Sequence, residues 1–323
     1  MDELLLCLNK SRRVLLASHT NPDGDAIGSL VALGVALKRL GKETVLYNET
    51  PIPAVYRFLP LVDQVVRCIE DFGQFDTAVI LDCGNLERVG EAAEQVSKLP
   101  VVINIDHHVT NTGFGHHRIV DETACATAEI LYRLIQRLGV EMDASIGAAI
   151  YTGILTDTGS FRFSNTNQAA FAICEKMVGL GVDPYRVAKQ VYGTYSLGRI
   201  KLLNLALDSI ELAPNGKLSM MVLTRDMLEE TGTRPEDSDG LINYARSIED
   251  VKVAALIQEN ENGDPKAGHG HRYHVSLRSD GSVDVARFAA AYGGGGHASA
   301  AGYSVEDRLI RIKSDLIRLA DTL

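Results

Sequence analysis

The stretch His19-Thr20-Asn21-Pro22-Asp23-Gly24-Asp25 places one imidazole and two carboxylates between an apolar run and a helical pattern. The run Val14-Leu15-Leu16-Ala17 predicts a short buried strand, and residues 26–40 predict an amphipathic helix. Polar side chains in a turn that follows a strand and opens a helix lie where an open α/β sheet binds its ligands. The stretch therefore predicts an α/β fold with its chemistry at the end of the first strand.

The turn itself has two interpretations. Asp23 and Asp25 carry like charges at close spacing, so we expect a positive charge between them. Carboxylate and imidazole ligands suit divalent ions such as manganese, iron or magnesium. An Asx-rich turn that caps the following helix explains the same residues without a metal. The stretch alone leaves both interpretations open.

Composition limits the classes of function. A chain of 323 residues is long for one core, so we expect two domains. The net charge of −10 disfavours binding to a long polyanion such as duplex DNA. No apolar run is long enough to cross a membrane. The acidic start Met1-Asp2-Glu3 is unlike a signal peptide, and the five cysteines form no Cys-x-x-Cys pair, so we expect a reduced, cytoplasmic protein.

Residues 1–191 alternate short β-branched runs with helical patterns. This alternation predicts βαβ units and a mainly parallel sheet flanked by helices. The predicted strands are residues 14–17, 44–47, 77–81 and 101–105, and the predicted helices are residues 26–40, 86–98, 127–138 and 144–155.

The remaining chain lacks this regular alternation. Residues 192–212 predict a helical linker, with its helix at 197–206. Residues 213–323 mix strands and helices, which predicts a smaller α+β domain. Its predicted strands are residues 217–223, 251–258 and 273–277, and its predicted helices are residues 237–247 and 284–292.

Three further acidic sites end predicted elements of the first domain. Asp82 and Asp106-His107-His108 follow predicted strands, and Asp157 follows an apolar helix. Any one of them is explained as a capping or turn residue. Because the carboxyl ends of parallel strands converge on one crevice, we expect all of them to meet the first turn there. The candidate metal ligands are His19, Asp23, Asp25, Asp82, His107 and Asp157.

These motifs, in this order, resemble the four successive motifs of the DHH phosphoesterases. The glycine run that ends at His297, with Val275-Ser276-Leu277-Arg278-Ser279 upstream, resembles the associated DHHA1 domain. The resemblance spans residues 19–302. It implies a catalytic DHH domain at 1–191, a substrate-binding DHHA1 domain at 213–323 and an active site in the cleft between them. It also implies a hydrolase that uses two divalent ions, usually Mn²⁺.

The resemblance assigns a role to each motif residue of the first domain. One ion would be held by His19 and Asp23, and the other by Asp25, His107 and Asp157, with Asp82 bridging the two. Asp106 would orient a histidine, and His108 would face the substrate phosphate.

In the second domain, the resemblance implies substrate contacts. Arg278, beside Ser276, would clamp a phosphate and so take part in catalysis together with Asp82 and His108. The backbone of Gly294, Gly295 and Gly296 could approach an anion closely, and His297 would contact a phosphate or ribose. Residues 298–301 would start a helix that faces this anion.

A second histidine cluster has a plainer interpretation. His269, His271 and His274 could bind a metal, but the resemblance does not include them. We expect an exposed loop that runs into a strand.

Within the family, the chain resembles the compact bacterial nanoRNases. This implies hydrolysis of very short oligoribonucleotides or dinucleotides and removal of the 3′-phosphate of 3′-phosphoadenosine 5′-phosphate (pAp), without long duplex DNA or a membrane as partner. Homodimer formation stays open. Two alternatives also stay open: a phosphodiesterase for cyclic di-AMP or the linear dinucleotides pApA and pGpG, and a nucleotide sensor without catalysis.

Overall fold

The computed structural model describes residues 2–193, 195–260 and 271–321. The chain divides into two compact units, Met1–Thr194 and Tyr195–Leu323. None of the helices described has the length and apolar character that a lipid bilayer would require of a spanning segment.

The first unit is built on a five-stranded sheet. Its strands are β1 Arg13–Ser18, β2 Glu43–Tyr47, β3 Thr77–Leu81, β4 Val101–Asp106 and β5 His117–Val120. Their order is β2-β1-β3-β4-β5, and every neighbouring pair is parallel. The predicted α/β class and parallel sheet are confirmed. Strand β5 was not predicted, because it is a short edge strand with no fully buried side chain.

Helices cover both faces of this sheet. They are α1 Asp2–Lys10, α2 Gly24–Arg39, α3 Ala93–Ser97, α4 Thr127–Arg137, α5 Ala144–Asp157, α6 Gln168–Gly179 and α7 Pro184–Tyr192, with 3-10 turns at Ala54–Tyr56, Val62–Gln64, Phe72–Gln74 and Leu86–Val89. Side chains alternate along each strand. Leu16 therefore packs in the core formed with α2, α4 and α5, whereas Leu15 packs in the core formed with α3. The single helix predicted over 86–98 is wrong: Gly90, with a φ of 91°, separates a 3-10 turn from α3.

Helices α2 and α5 approach each other closely through glycines. A Cβ at Gly28 would overlap the carbonyl oxygen of Ala149, so the backbones themselves are in contact there. A Cβ at Gly153 would lie 2.7 Å from Cβ of Ala128 and 2.8 Å from Oδ1 of Asp25. Only glycine permits this spacing, which brings the first turn of α2 beside the carboxyl end of α5.

The second unit is α+β, as predicted. Its strands are β6 Glu211–Leu212, β7 Leu218–Leu223, β8 Val253–Glu259, β9 His271–Ser279, β10 Gly295–His297 and β11 Ala300–Asp307. Its helices are α8 Leu197–Asp208, α9 Arg225–Thr231, α10 Ile242–Arg246, α11 Val285–Ala291 and α12 Leu309–Ala320, with a 3-10 turn at Pro235–Ser238. The six-stranded sheet has the order β10-β11-β9-β8-β7-β6, and only β7 and β8 are parallel. Helix α8, in the segment predicted as a linker, packs on this sheet through Leu202 and Ala206.

Two predictions for the second unit are wrong. The helix over 237–247 is interrupted, because Gly240 has a φ of 79° and separates the 3-10 turn from α10. Residues 298–301 do not start a helix. Residues 298–299 connect β10 to β11 in an antiparallel hairpin, and residues 300–301 begin β11. Gly295 pairs with Gly302, and Gly296 pairs with Ala301.

The close contact of α2 with α5 predicts the effect of a minimal substitution. Gly28→Ala should lower the free energy of unfolding by about 1–3 kcal/mol, because the added methyl group has no space beside the α5 backbone. Gly179→Ala is the matched control: Gly179 ends α6, and a Cβ there would meet no described atom within 4 Å. The control should be neutral or slightly stabilising. Urea unfolding of the two variants measures the difference, and equal stability would contradict the contact.

Candidate metal centre

The candidate ligands surround the carboxyl ends of three adjacent strands. β1, β3 and β4 lie side by side, and they lead directly into His19, Asp82 and His107. The chain moves from β1 to β2 on one side and then to β3 on the other, so the strand order reverses at β1. Such reversal points form the ligand crevice of open α/β sheets.

The first turn is a helix cap and also part of the ligand cluster. Asp23 is the N-cap of α2, and its Oδ1 accepts from the backbone N–H of Asp25 at 3.0 Å and of Ala26 at 3.1 Å. Ligand atoms of His19, Asp23 and Asp82 nevertheless all lie within 4.8 Å of one another. Nδ1 of His19 donates to the carbonyl oxygen of Thr20 at 2.8 Å, and Nε2 lies 3.6 Å from Oδ2 of Asp82. The two interpretations of this turn are therefore compatible.

Asp25 is held at the start of another helix. Its Oδ2 accepts from the backbone N–H of Thr127 at 2.6 Å, and its Oδ1 accepts from Ala128 at 2.9 Å. These are N–H groups of the first turn of α4, which a carboxylate satisfies and whose partial positive charge it offsets. Burial, together with the charges of Asp82 and Asp157, still raises the pKa of Asp25 well above its usual range.

His107 lies among three carboxylates. Its Nε2 is 3.6 Å from Oδ2 of Asp157, 3.7 Å from Oδ1 of Asp82 and 4.0 Å from Oδ2 of Asp25. Nδ1 lies 3.3 Å from the carbonyl oxygen of Ala124, which favours the tautomer with its lone pair on Nε2. Burial lowers the pKa of His107, but the three carboxylates outweigh it and raise the pKa to about 9. A positive charge at this position is therefore strongly favoured.

Asp82 occupies the centre of the cluster. Its φ of 54° lies in the left-handed region, a strained conformation that non-glycine residues adopt mainly where their surroundings enforce it. Its carboxylate lies near His19 and His107 and accepts from Oγ1 of Thr127 at 3.0 Å. Burial opposes ionisation, but the hydrogen bond from His19 and the charges of His108 and His107 outweigh it and lower the pKa of Asp82 far below its usual range.

Asp157 is the last residue of α5 and is fixed by an asparagine. Nδ2 of Asn165 donates to Oδ2 of Asp157 at 2.9 Å and to the carbonyl oxygen of Cys125 at 2.8 Å. Burial raises the pKa of Asp157 to about 7, against the opposing charge of His107. Asn165 does not cap the next helix; Asn167 does, and its Oδ1 accepts from the backbone N–H of Ala170 at 2.8 Å.

Asp106 orients His108. Its Oδ1 accepts from Nδ1 of His108 at 2.6 Å, and its Oδ2 accepts from Nδ2 of Asn111 at 2.6 Å. His108 also lies 3.7 Å from Oδ1 of Asp82, and those two residues with His107 form another group of close ligand atoms. Burial lowers the pKa of His108, but Asp106 and Asp82 outweigh it, so the net shift is upward.

The donor set fits divalent cations. All six predicted ligands belong to groups in which the ligand atoms lie within 4.8 Å of one another. Mutual repulsion and burial raise the pKa of Asp25 and of Asp157, which means that the protein alone does not supply enough positive charge. Buried carboxylates mixed with imidazoles are the ligands of manganese, iron and similar ions.

The predicted substrate contacts lie in the second unit. Ser276 and Arg278 are half-buried and lie on the same face of β9. Ser276 pairs with Gly302 of β11, and Arg278 pairs with Ala300. Gly294 lies so close to the backbone of Gly302 that a Cβ there would overlap its carbonyl oxygen, whereas Gly295 has open space and Gly296 has a φ of 141°. The side chain of His297 and the whole of His269 lie outside the described residues.

Sequence reasoning missed the residues that support the ligands. Thr127, Asn165 and Asn111 hold Asp82, Asp157 and Asp106 respectively. The only signal for Thr127 is its position at the start of a predicted helix, and Asn165 and Asn111 read as ordinary turn residues.

Comparison with known proteins identifies the family. The model of the DHH family N-terminal domain matches residues 13–154, and the model of the DHHA1 domain matches residues 217–322. The chain is 35% identical to the bifunctional oligoribonuclease and PAP phosphatase NrnA of Thermus thermophilus, over 91% of this chain and 84% of that protein. It is 27% identical to NrnA of Bacillus subtilis, over 97% of this chain and 96% of that protein.

A solved structure agrees with this similarity over both units. The crystal structure of an exopolyphosphatase-related protein from Bacteroides fragilis matches with a TM-score of 0.87 at 25% identity, over 98% of this chain and 95% of that chain. The two matched domains follow each other in the order that the motifs predicted. The chain therefore belongs to the DHH family of phosphoesterases, with a DHH domain followed by a DHHA1 domain.

Proposed function

We propose that this protein is a metal-dependent phosphoesterase that cleaves very short oligoribonucleotides to mononucleotides and removes the 3′-phosphate of pAp. The observation that carries the proposal is the convergence of His19, Asp23, Asp25, Asp82, His107 and Asp157 at one edge of the parallel sheet. The similarity to the two NrnA proteins over nearly the whole chain supports this choice of substrates. The net charge of −10 favours short anionic substrates over a long duplex.

The proposed ligand sets combine the family resemblance with two of the three groups of close ligand atoms, His19 with Asp23 and Asp82, and Asp25 with His107 and Asp157. His19 and Asp23 would hold one ion, Asp25, His107 and Asp157 would hold the second, and Asp82 would be shared by both. Mn²⁺ is the proposed ion. When bound, two such ions activate a water as nucleophile and offset charge on the phosphoryl oxygens. Asp106 is not a proposed ligand, because its Oδ1 accepts from Nδ1 of His108.

His108 is the proposed proton donor in the reaction. Because Asp106 accepts from Nδ1, the proton on Nε2 can be donated to a phosphoryl or leaving-group oxygen. Asp106 and Asp82 raise the pKa of His108, which favours the protonated imidazole that a proton donor requires. Positioning by a buried carboxylate also holds the ring in one orientation.

The second unit is proposed to bind the substrate. Arg278 supplies a planar guanidinium that can hold a phosphate through two hydrogen bonds. Ser276, Gly294, Gly295, Gly296 and His297 are the other proposed contacts. The strand pairing sets Ser276 opposite Gly302 and sets Gly302 opposite Gly295, so these residues lie in one row across the sheet.

Two adjacent histidines test the metal assignment. His107→Gln should weaken Mn²⁺ binding by more than about tenfold, because it removes a ligand. His108→Gln should bind Mn²⁺ within about threefold of the wild type but lose about 100-fold in kcat, because it removes a proton donor. Calorimetric titration with MnCl₂ and turnover of pAp measure the two effects. Equal loss of metal by both variants would make His108 a ligand and overturn its proposed role.

Thr127 tests the support of the bridging carboxylate. Thr127→Val keeps the shape of the side chain but removes the donor to Asp82, so Mn²⁺ affinity should fall by about tenfold. Thr127→Ser keeps the hydroxyl and is the matched control, with affinity close to that of the wild type. Wild-type affinity in the valine variant would show that this hydrogen bond does not position Asp82.

A substrate panel tests the proposed activity. With Mn²⁺, pAp and a ribodinucleotide should be hydrolysed at least about tenfold faster than cyclic di-AMP or pyrophosphate at equal concentration. Chromatography of the products measures each rate, and a chelator should abolish all turnover because the site depends on its ions. Faster hydrolysis of cyclic di-AMP would establish the alternative phosphodiesterase. Tight nucleotide binding without turnover in any metal would establish a sensor.

A further inference from the structure

One face of β9 carries a polar strip that the family motifs cover only in part. Tyr273, Val275 and Leu277 point into the core of the second unit, and the alternate residues His274, Ser276 and Arg278 are half-buried on the opposite face. The motif resemblance includes Ser276 and Arg278. It does not include His274, which lies on the same face two residues before Ser276.

Two glycines form a floor beside this strip. Gly302 of β11 pairs with Ser276 on one side and with Gly295 of β10 on the other, and directly paired residues share a face of the sheet. A Cβ on Gly295 would meet no described atom within 4 Å, so the space above it is open among the described residues. This glycine floor, Gly295 with Gly302, therefore lets a flat ligand approach the backbone directly.

His274 borders the glycine floor. A Cβ on Gly302 would lie 3.1 Å from Nε2 of His274, so the imidazole edge reaches over that glycine. Nδ1 of His274 lies 3.3 Å from Oγ of Ser304, a contact that fixes the ring orientation. Arg278 borders the next row of the sheet, where it pairs with Ala300. His274 and Arg278 thus lie on opposite sides of the floor along β9, and Nη1 of Arg278 donates to the carbonyl oxygen of Leu277 at 3.0 Å.

The two sides of the floor differ in the chemistry that they offer. Burial and the nearby charge of Arg278 lower the pKa of His274, so its imidazole is neutral near pH 7. A neutral imidazole has one donor and one acceptor, which suits a ribose hydroxyl or the polar edge of a base. The permanent charge of Arg278 suits a phosphate.

We propose that His274 is a specificity-determining residue that hydrogen-bonds the nucleoside part of the substrate over the glycine floor, next to the phosphate held by Arg278. The proposal rests on the proposed function and deepens it, because it assigns the nucleoside part to a residue outside the recognised motifs. It predicts that the protein distinguishes nucleotides from phosphoesters that lack a nucleoside.

The test compares His274→Ala and His274→Gln with His271→Ala. His271 is the matched control, because it is an exposed histidine on the same strand whose Nδ1 lies 2.6 Å from Oε1 of Glu259. With Mn²⁺, His274→Ala should raise KM for pAp by about tenfold at nearly unchanged kcat. A change of this size corresponds to the loss of about one hydrogen bond to the substrate. His274→Gln should recover part of this loss. Hydrolysis of bis(p-nitrophenyl) phosphate, which has no nucleoside, should be unchanged in all three variants.

Two outcomes would overturn the inference. One is an unchanged KM for pAp in both His274 variants, and the other is an equal loss on bis(p-nitrophenyl) phosphate, which would indicate a structural effect. If the wild type hydrolyses no nucleotide, the proposed function fails, and calorimetric binding of AMP then decides the inference separately. AMP binding that weakens in His274→Ala but not in His271→Ala would support it, and equal binding by all would refute it.

Discussion

The carboxylate of Asp25 at the amino end of α4 is the interaction on which the arrangement of the site depends. Both of its oxygens accept backbone N–H groups of α4, at Thr127 and Ala128, across more than a hundred residues of sequence. This contact joins α2, which follows β1, to α4, which follows β5. Because Thr127 also donates to Asp82, the same helix terminus positions two of the central carboxylates. Moving α4 would therefore disturb the ligands that come from β1 and from β3 together.

The segment that leads into α4 extends this support to the other ligands. The carbonyl oxygen of Ala124 lies beside Nδ1 of His107, and that of Cys125 accepts from Asn165, which holds Asp157. The backbone N–H of Cys125 in turn donates to the buried carboxylate of Glu129. A stretch without a motif of its own thus orients His107 and Asp157, which come from two different motifs.

Features of the fold and the site could be predicted where they depend on residues close together in the sequence, and not where they depend on contacts between distant residues. The three central strands, β1, β3 and β4, and the polar residues at their ends were predictable, because burial on both faces imposes continuous apolar runs and parallel strands end at one edge. Edge strand β5 was not, because its side chains are only partly buried. The interruptions at Gly90 and Gly240 depend on a positive φ that helical periodicity does not reveal. Thr127 and Asn165 act through contacts with residues distant in sequence, so their neighbours in the chain give no sign of their role.

The electrostatics of the cluster explain why such elaborate support is needed. Asp25 and Asp157 are held beside Asp82, although burial and repulsion raise the pKa of both. Without a cation, that repulsion opposes the folded arrangement, and the hydrogen bonds from α4 and Asn165 have to hold the carboxylates in place. A bound cation reverses the sign of this interaction, because the same closely spaced charges then attract it. Metal affinity and the stability of the surrounding fold therefore both depend on the repulsion among these carboxylates, which a bound cation relieves.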